Sequence, residues 1–192
     1  MVVSDFPGHG TSLYKFEQGY FGKGNALDTL VEDIQRLRHI ITKRYEDLPY
    51  FMLGVDLGSL VLLKYAGVYG DYINGMILLG TCMKNSFYYR MKMIVDFNIL
   101  LHGQMNHSRV IKKAIDLFLQ RNLNGNYKMT NTKEVNLYME DPLTDFVYTN
   151  QAYRDILDYI KYTSDEEHLK QIPQYLPVYL LSGGFDNLTR NG

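Results

Sequence analysis

Apolar residues recur along this chain with two different periods, and the periods separate helices from strands. Between residues 25 and 45 the apolar positions follow three- and four-residue steps, which predicts an amphipathic helix with Asn25 as its N-cap. Short apolar runs bounded by proline, glycine or turns predict buried strands at Met1–Ser4, Tyr50–Leu53, Gly75–Leu79 and Val178–Leu181. A second helix is predicted at Ser59–Tyr69. Wholly apolar strands that alternate with helices are typical of a parallel sheet covered on both faces.

The pattern changes between residues 84 and 171, where no strand is predicted. Helical stretches are expected near Phe87–Leu101, Arg109–Leu119 and Ala152–Lys161, joined by polar loops. We therefore expect an α/β fold with a helical cap inserted between two strands of the sheet. The predicted divisions are a first core segment at 1–83, the cap at 84–171 and a second core segment at 172–192.

Composition excludes several classes of function. The formal net charge is -1 over 192 residues, which leaves no basic surface for nucleic acid and no polybasic membrane patch. Cys82 is the only cysteine, so no internal disulfide can form. No run approaches the roughly 20 apolar residues of a membrane span, and the N-terminus is unlike a signal peptide, so a cytoplasmic location is expected. Nothing in the sequence calls for a metal or another cofactor.

One turn carries the strongest chemical signal. Gly54-Val55-Asp56-Leu57-Gly58 lies between a predicted strand and a predicted helix, as does the G-x-S-x-G nucleophile elbow. In that elbow the central residue sits on a strained turn above the sheet. Both glycines are expected because a side chain at either position would collide with the neighbouring strand or helix.

Three segments together resemble the α/β-hydrolases of the monoacylglycerol-lipase and lysophospholipase type, also classed as serine aminopeptidase S33-like. Asp5–Ser12 resembles their D-x-x-G-H-G-x-S turn, and Phe51–Ser59 resembles their F-L-x-G-H-S-M-G-S elbow. Leu176–Asp186 resembles their L-P-V-x-L-L-S-G-x-x-D strand. The order and spacing agree over essentially the whole chain. The resemblance implies a helical lid and hydrolysis of acyl esters by serine, histidine and aspartate.

Carried over residue by residue, that mechanism is incomplete. Asp56 stands at the nucleophile position where serine is expected, and Val55 stands where the family has histidine. The resemblance assigns the triad acid to Asp186 and one oxyanion donor to the backbone N–H of Leu57. It places the catalytic histidine beyond residue 192 and the first oxyanion donor before residue 1. We therefore expect a truncated family member without esterase activity.

Three interpretations of Asp56 follow. The family serine is lost and the chain is inactive, or the chain is a non-catalytic protein that binds a lipid or a partner. The third interpretation is an aspartate nucleophile, as in epoxide hydrolases and haloalkane dehalogenases of this fold. The expected ligand is a lipid-like ester, and apolar cap residues near Arg90–Phe97 either line an acyl pocket or pack the cap.

Two further expectations concern the histidines and the sheet edges. His39, His102, His107 and His168 are expected at surface or boundary positions, and His9 is expected to make a structural hydrogen bond within its turn. Strands missing from the sheet would leave apolar edges, so self-association through exposed sheet edges is predicted.

Overall fold

The computed structural model describes residues 1–13, 18–118, 136–138, 140–144 and 146–183. The strands are β1 (Phe51–Val55), β2 (Gly75–Leu79) and β3 (Val178–Leu181). The helices are α1 (Ala26–Arg44), α2 (Leu57–Tyr69), α3 (Ser86–His102), α4 (Arg109–Phe118), α5 (Asn150–Thr163) and α6 (Glu166–Leu169), and a 3-10 turn spans Gly70–Tyr72.

The three strands form one parallel sheet in the order β1-β2-β3. The register aligns Leu53 with Ile77 and Ile77 with Tyr179, so the carboxyl ends of all three strands lie at one edge. The predicted mostly parallel sheet is confirmed, and β2 and β3 have the predicted bounds. Functional sites of open α/β sheets lie at this edge.

The strand predicted at Met1–Ser4 was wrong. These residues are exposed and form no strand, so the described sheet has three strands instead of the four expected. A short apolar run becomes a strand only when a neighbour accepts its backbone hydrogen bonds. Among the described residues the sheet offers Met1–Ser4 no such neighbour.

The chain divides into two compact units. The sheet unit contains residues 25–85 and residues 156–183. A helical unit contains residues 1–24 and the described part of 86–155. The predicted division into core and cap at residues 84 and 171 stays a prediction.

Apolar burial holds the sheet unit together. α2 packs against β1 and α1, and it buries Leu60, Val61 and Tyr65 almost completely. The α1 helix begins as predicted, because the Asn25 side chain accepts a hydrogen bond from the Asp28 N–H at 3.3 Å. This packing holds the beginning of α2 at the carboxyl end of β1.

The helical unit is built around the buried side of α3. Tyr88, Met91 and Val95 are buried, and so is Ile111 of α4. The predicted helices near Phe87–Leu101, Arg109–Leu119 and Ala152–Lys161 are confirmed within about two residues at each end. The short α6 was missed because four residues carry no periodic signal. No helix in the described part of the chain is long and apolar enough to span a bilayer.

Candidate active site: an elbow that carries aspartate

Asp56 lies on a strained turn between the last residue of β1 and the first residue of α2. Its φ is 47° and its ψ is -115°, in a region that residues with a side chain rarely adopt. Asp47 is the only other described residue besides glycine with a positive φ. Such conformations cost about 1–3 kcal/mol and persist only where the surrounding structure imposes them. Asp56 therefore has the strained conformation predicted for the central residue of the elbow, and its side chain is exposed.

Hydrogen bonds to both neighbouring elements impose this conformation. The Asp56 N–H donates to the Leu79 carbonyl at the end of β2, at 2.9 Å. The Asp56 carbonyl accepts from the Ser59 N–H at 3.0 Å and from the Ser59 hydroxyl at 2.6 Å. Ser59 is fully buried, so this serine supports the turn and is inaccessible to a substrate.

The two elbow glycines differ in what requires them. A Cβ on Gly54 would lie 2.6 Å from the Gly58 carbonyl oxygen and 2.8 Å from the Ser59 Cα. The same atom on Gly58 would meet no described atom within 4 Å. The predicted collision is confirmed for Gly54. For Gly58 no such collision occurs among the described residues, because Gly58 is the residue that Gly54 faces and its own Cβ direction points away from β1.

Leu57 is the first residue of α2, as the predicted oxyanion role requires. Backbone N–H groups in the first turn of a helix have no acceptor within the helix, and the helix dipole makes this end positive. The Leu57 N–H therefore lies where an oxyanion would be stabilised, and the Asp56 carboxylate belongs to the same positive end. Its assignment as a donor stays a prediction.

The predicted acid position follows the end of β3. β3 ends at Leu181, whose carbonyl accepts from the Gly80 N–H at 3.0 Å, so the chain leaves β3 at the edge that carries Asp56. Asp186 follows shortly afterwards and lies outside the described residues. Its role as the triad acid stays a prediction.

Neither histidine of the sheet unit lies at the elbow. His39 is exposed on α1 and follows Arg38, whose guanidinium lies 4.8 Å from the ring centroid of Tyr72, beyond the far end of α2. The His168 carbonyl oxygen lies 3.7 Å from the Cβ position of Gly67, near the far end of α2. At ~1.5 Å per helical residue, Gly67 is about 16 Å from Asp56. His168 instead stacks on Tyr162, with ring centroids 3.8 Å apart.

Of the histidines in the helical unit, His9 and His107 make structural hydrogen bonds. The His9 Nδ1 lies 3.2 Å from the Pro7 carbonyl and its Nε2 lies 2.9 Å from the Tyr148 hydroxyl, which confirms the expected structural hydrogen bond. The His107 Nδ1 lies 2.7 Å from the Val147 carbonyl, while His102 and His107 are both exposed. The contact between His9 and Tyr148 was missed because nothing in the sequence pairs residues so far apart. Among the described residues, no cluster of three metal-ligating side chains occurs.

Comparison with known proteins places this geometry in a family. The profile of the family described as serine aminopeptidase, S33, matches residues 1–192. The protein phosphatase methylesterase 1 of Candida albicans is 34% identical over 80 residues, which are 41% of this chain and 20% of that protein.

Solved structures share the fold. A thermostable carboxyl esterase from Bacillus coagulans, solved with glycerol, superposes with a TM-score of 0.79 at 21% identity, covering 98% of this chain and 63% of the esterase. A monoglyceride lipase from Saccharomyces cerevisiae superposes with a TM-score of 0.64 at 14% identity, covering 89% of this chain and 54% of the lipase. The chain thus spans about a fifth of the methylesterase and less than two thirds of either structure. With its strand–elbow–helix geometry and a family match over its whole length, the chain belongs to the serine aminopeptidase S33 family and has the α/β-hydrolase fold.

Proposed function

We propose that this chain is a lipid-ester-binding member of the carboxylic-ester hydrolases that does not act as a serine hydrolase. The observation that carries the proposal is Asp56 in the strained nucleophile conformation. Family membership and the esterase and lipase fold neighbours support the class of ligand.

Aspartate cannot replace serine in acyl transfer. A carboxylate that attacks an acyl ester forms a mixed anhydride, which is higher in energy than the ester it replaces. Serine forms an ester instead, after a base has removed its proton. Ser59, the nearest serine in sequence, is buried and hydrogen-bonded to the Asp56 carbonyl. The elbow therefore presents no nucleophile suited to an acyl ester.

The elbow itself favours a second candidate, an aspartate nucleophile that attacks an alkyl carbon. Asp56 is exposed at the beginning of α2, which is the positive end of the helix dipole. Attack on a haloalkane would form an alkyl ester on Asp56 and release a halide. Attack on an epoxide would break a ring C–O bond and form a 2-hydroxyalkyl ester on Asp56, whose oxyanion takes a proton from water. Turnover would then require a water molecule, activated by a general base, to hydrolyse this ester. An enzyme without such a base would stop at the covalent ester.

The outer face of α3 supports the lipid part of the proposal. Met93, Phe97 and Leu100 are 73%, 60% and 80% exposed, and their spacing places them along one side of the helix. The opposite side is buried through Met91 and Val95. The helix therefore has apolar residues on both its buried side and its exposed side. The exposed apolar side is a surface suited to acyl chains.

Labelling at the elbow tests the chemistry. The protein should resist a fluorophosphonate probe and should not hydrolyse a p-nitrophenyl ester. The Asp56→Ser variant should not gain turnover, because neither His39 nor His168 lies at the elbow. Stoichiometric labelling of the native protein would refute the proposal. A covalent adduct with an epoxide, absent in Asp56→Asn, would favour the second candidate.

Binding to a non-hydrolysable ligand tests the lipid assignment separately. The protein should bind phosphatidylcholine vesicles that contain a 1-O-alkylglycerol. A Met93→Ser/Phe97→Ser double variant should lose most of that binding. The matched control is Ile40→Ser, which changes an equally exposed apolar residue on α1. Equal binding by all three proteins would contradict the role of α3 and leave the labelling result unaffected.

A further inference from the structure

His9 lies in an aromatic cluster that joins distant parts of the helical unit. Its ring stacks on Phe21 with centroids 5.5 Å apart and an interplanar angle of 13°. Phe146 meets it edge-on at 5.2 Å and Tyr148 lies at 5.5 Å. The His9 ring therefore packs against segments that precede α1 and α5, which are far apart in the sequence.

The hydrogen-bond partners of His9 define the tautomer of its neutral ring. The Pro7 carbonyl can only accept, so the Nδ1 at 3.2 Å must carry a proton. In a neutral imidazole the Nε2 is then an acceptor, and it accepts a hydrogen bond from the Tyr148 hydroxyl, whose oxygen lies 2.9 Å away. Protonation would place a second N–H against that hydroxyl, which would have to turn its own proton elsewhere.

The surroundings of His9 oppose a positive charge. Burial lowers the pKa of His9, and the Pro7 hydrogen bond and the charge of Asp5 only partly offset this effect. Asp5 itself accepts from the Thr11 N–H at 2.9 Å and from the Thr11 hydroxyl at 3.0 Å. Among the described residues, the rings packed on His9 belong to Phe6, Phe21, Phe146 and Tyr148, and Tyr153 packs behind Tyr148.

Backbone hydrogen bonds make the same connection through Gly19. The Gly19 N–H donates to the Gly8 carbonyl at 2.9 Å, and the Thr149 N–H donates to the Gly19 carbonyl at 3.0 Å. A Cβ on Gly19 would lie 2.9 Å from the Tyr148 Cα, so the backbones approach closely. His9 and Tyr148 complete this connection with a direct side-chain contact between the turn at residues 5–12 and the segment at 146–149.

We propose that His9 and Tyr148 form an acid-sensitive clasp, closed while His9 is neutral and opened when His9 is protonated, which frees the turn at 5–12 from the segment at 146–149. Because the pKa of His9 is lower in the folded chain than in the unfolded chain, the clasp contributes its full stability above about pH 6.5. That stability is lost as the pH falls from 6.5 toward the pKa of His9 in the folded chain. In this range the equilibrium constant for opening rises roughly tenfold for each unit by which the pH falls.

Hydrogen exchange at pH 7.5 and pH 5.5, corrected for intrinsic rates, tests the clasp. Peptides covering 5–12 and 146–149 should lose protection together at the lower pH. In His9→Gln the amide oxygen can accept from Tyr148 without titrating, so protection should be equal at both pH values. Tyr148→Phe should lower protection at pH 7.5 and reduce the acid effect, because it removes the donor that favours neutral His9. His39→Gln, at an exposed histidine of the sheet unit, should behave as the native protein.

Two results would overturn the proposal. One is equal protection of both segments in the native protein at the two pH values. The other is an unchanged acid effect in both His9→Gln and Tyr148→Phe, since another group would then be titrating. If His9→Gln does not fold, Tyr148→Phe decides the question. A reduced acid effect in that variant would support the clasp, and an unchanged acid effect would refute it.

Discussion

Replacing Gly54 with alanine should test the packing that creates the elbow. The new Cβ would lie 2.6 Å from the Gly58 carbonyl oxygen and 2.8 Å from both the Gly58 carbonyl carbon and the Ser59 Cα. All three obstacles are backbone atoms at the beginning of α2, so no side-chain rotation can relieve the contact. The helix and β1 must separate by roughly 0.8 Å to restore an ordinary contact distance.

The size of the effect follows from that separation. A gap of 0.5–1 Å removes about a quarter to a half of the dispersion energy between facing atoms, and overpacking of a core typically costs about 1–3 kcal/mol. Alanine also restricts the unfolded chain, which offsets about 0.4–1 kcal/mol. We expect Gly54→Ala to lower the free energy of unfolding by about 1–2 kcal/mol.

Equilibrium urea unfolding followed by far-ultraviolet circular dichroism is a suitable assay. With a slope of about 2 kcal/mol per molar urea, the Gly54→Ala midpoint should fall by about 0.5–1 M. Gly58→Ala is the matched control, because its Cβ meets no described atom and alanine is the better helix former by about 0.5–1 kcal/mol. A Gly54→Ala midpoint equal to or above that of Gly58→Ala would refute the assigned packing of β1 against α2.

Three further predictions concern strain, pH and association. Asp56→Gly should raise the free energy of unfolding by about 1 kcal/mol in the same urea assay, because glycine adopts a positive φ without strain and its freer unfolded chain offsets only about 0.4–1 kcal/mol. A lowered midpoint would mean that the turn is relaxed. Burial raises the pKa of Tyr65 to about 12, so stability present below pH 10 should fall as the pH rises toward 12. The urea midpoints at pH 9 and pH 11 should differ less in Tyr65→Phe than in the native protein. The exposed strand β3 should promote self-association and binding of a hydrophobic dye; a dye-silent monomer at micromolar concentration in the analytical ultracentrifuge would contradict this.

Much of the sheet unit could be predicted from the sequence because its signals are local. The three- and four-residue steps of α1, the Asn25 cap and the apolar runs of β2 and β3 depend only on neighbours along the chain. The elbow was also predictable, because a five-residue turn between an apolar strand and a helix is a local pattern with one known conformation. The structure adds that Asp56 keeps this conformation without the family serine.

Properties that depend on distant partners were decided by the tertiary structure. Met1–Ser4 has the composition of a buried strand but no partner in the described sheet, so its backbone is exposed. Gly54 and Gly58 look equivalent in the motif, yet in the described part of the chain only Gly54 faces the backbone of another element. His9 meets Tyr148 across 139 positions of sequence. Periodicity and turn motifs report which residues are apolar and where the chain bends, whereas hydrogen-bond partners and close approaches exist only once the chain has folded.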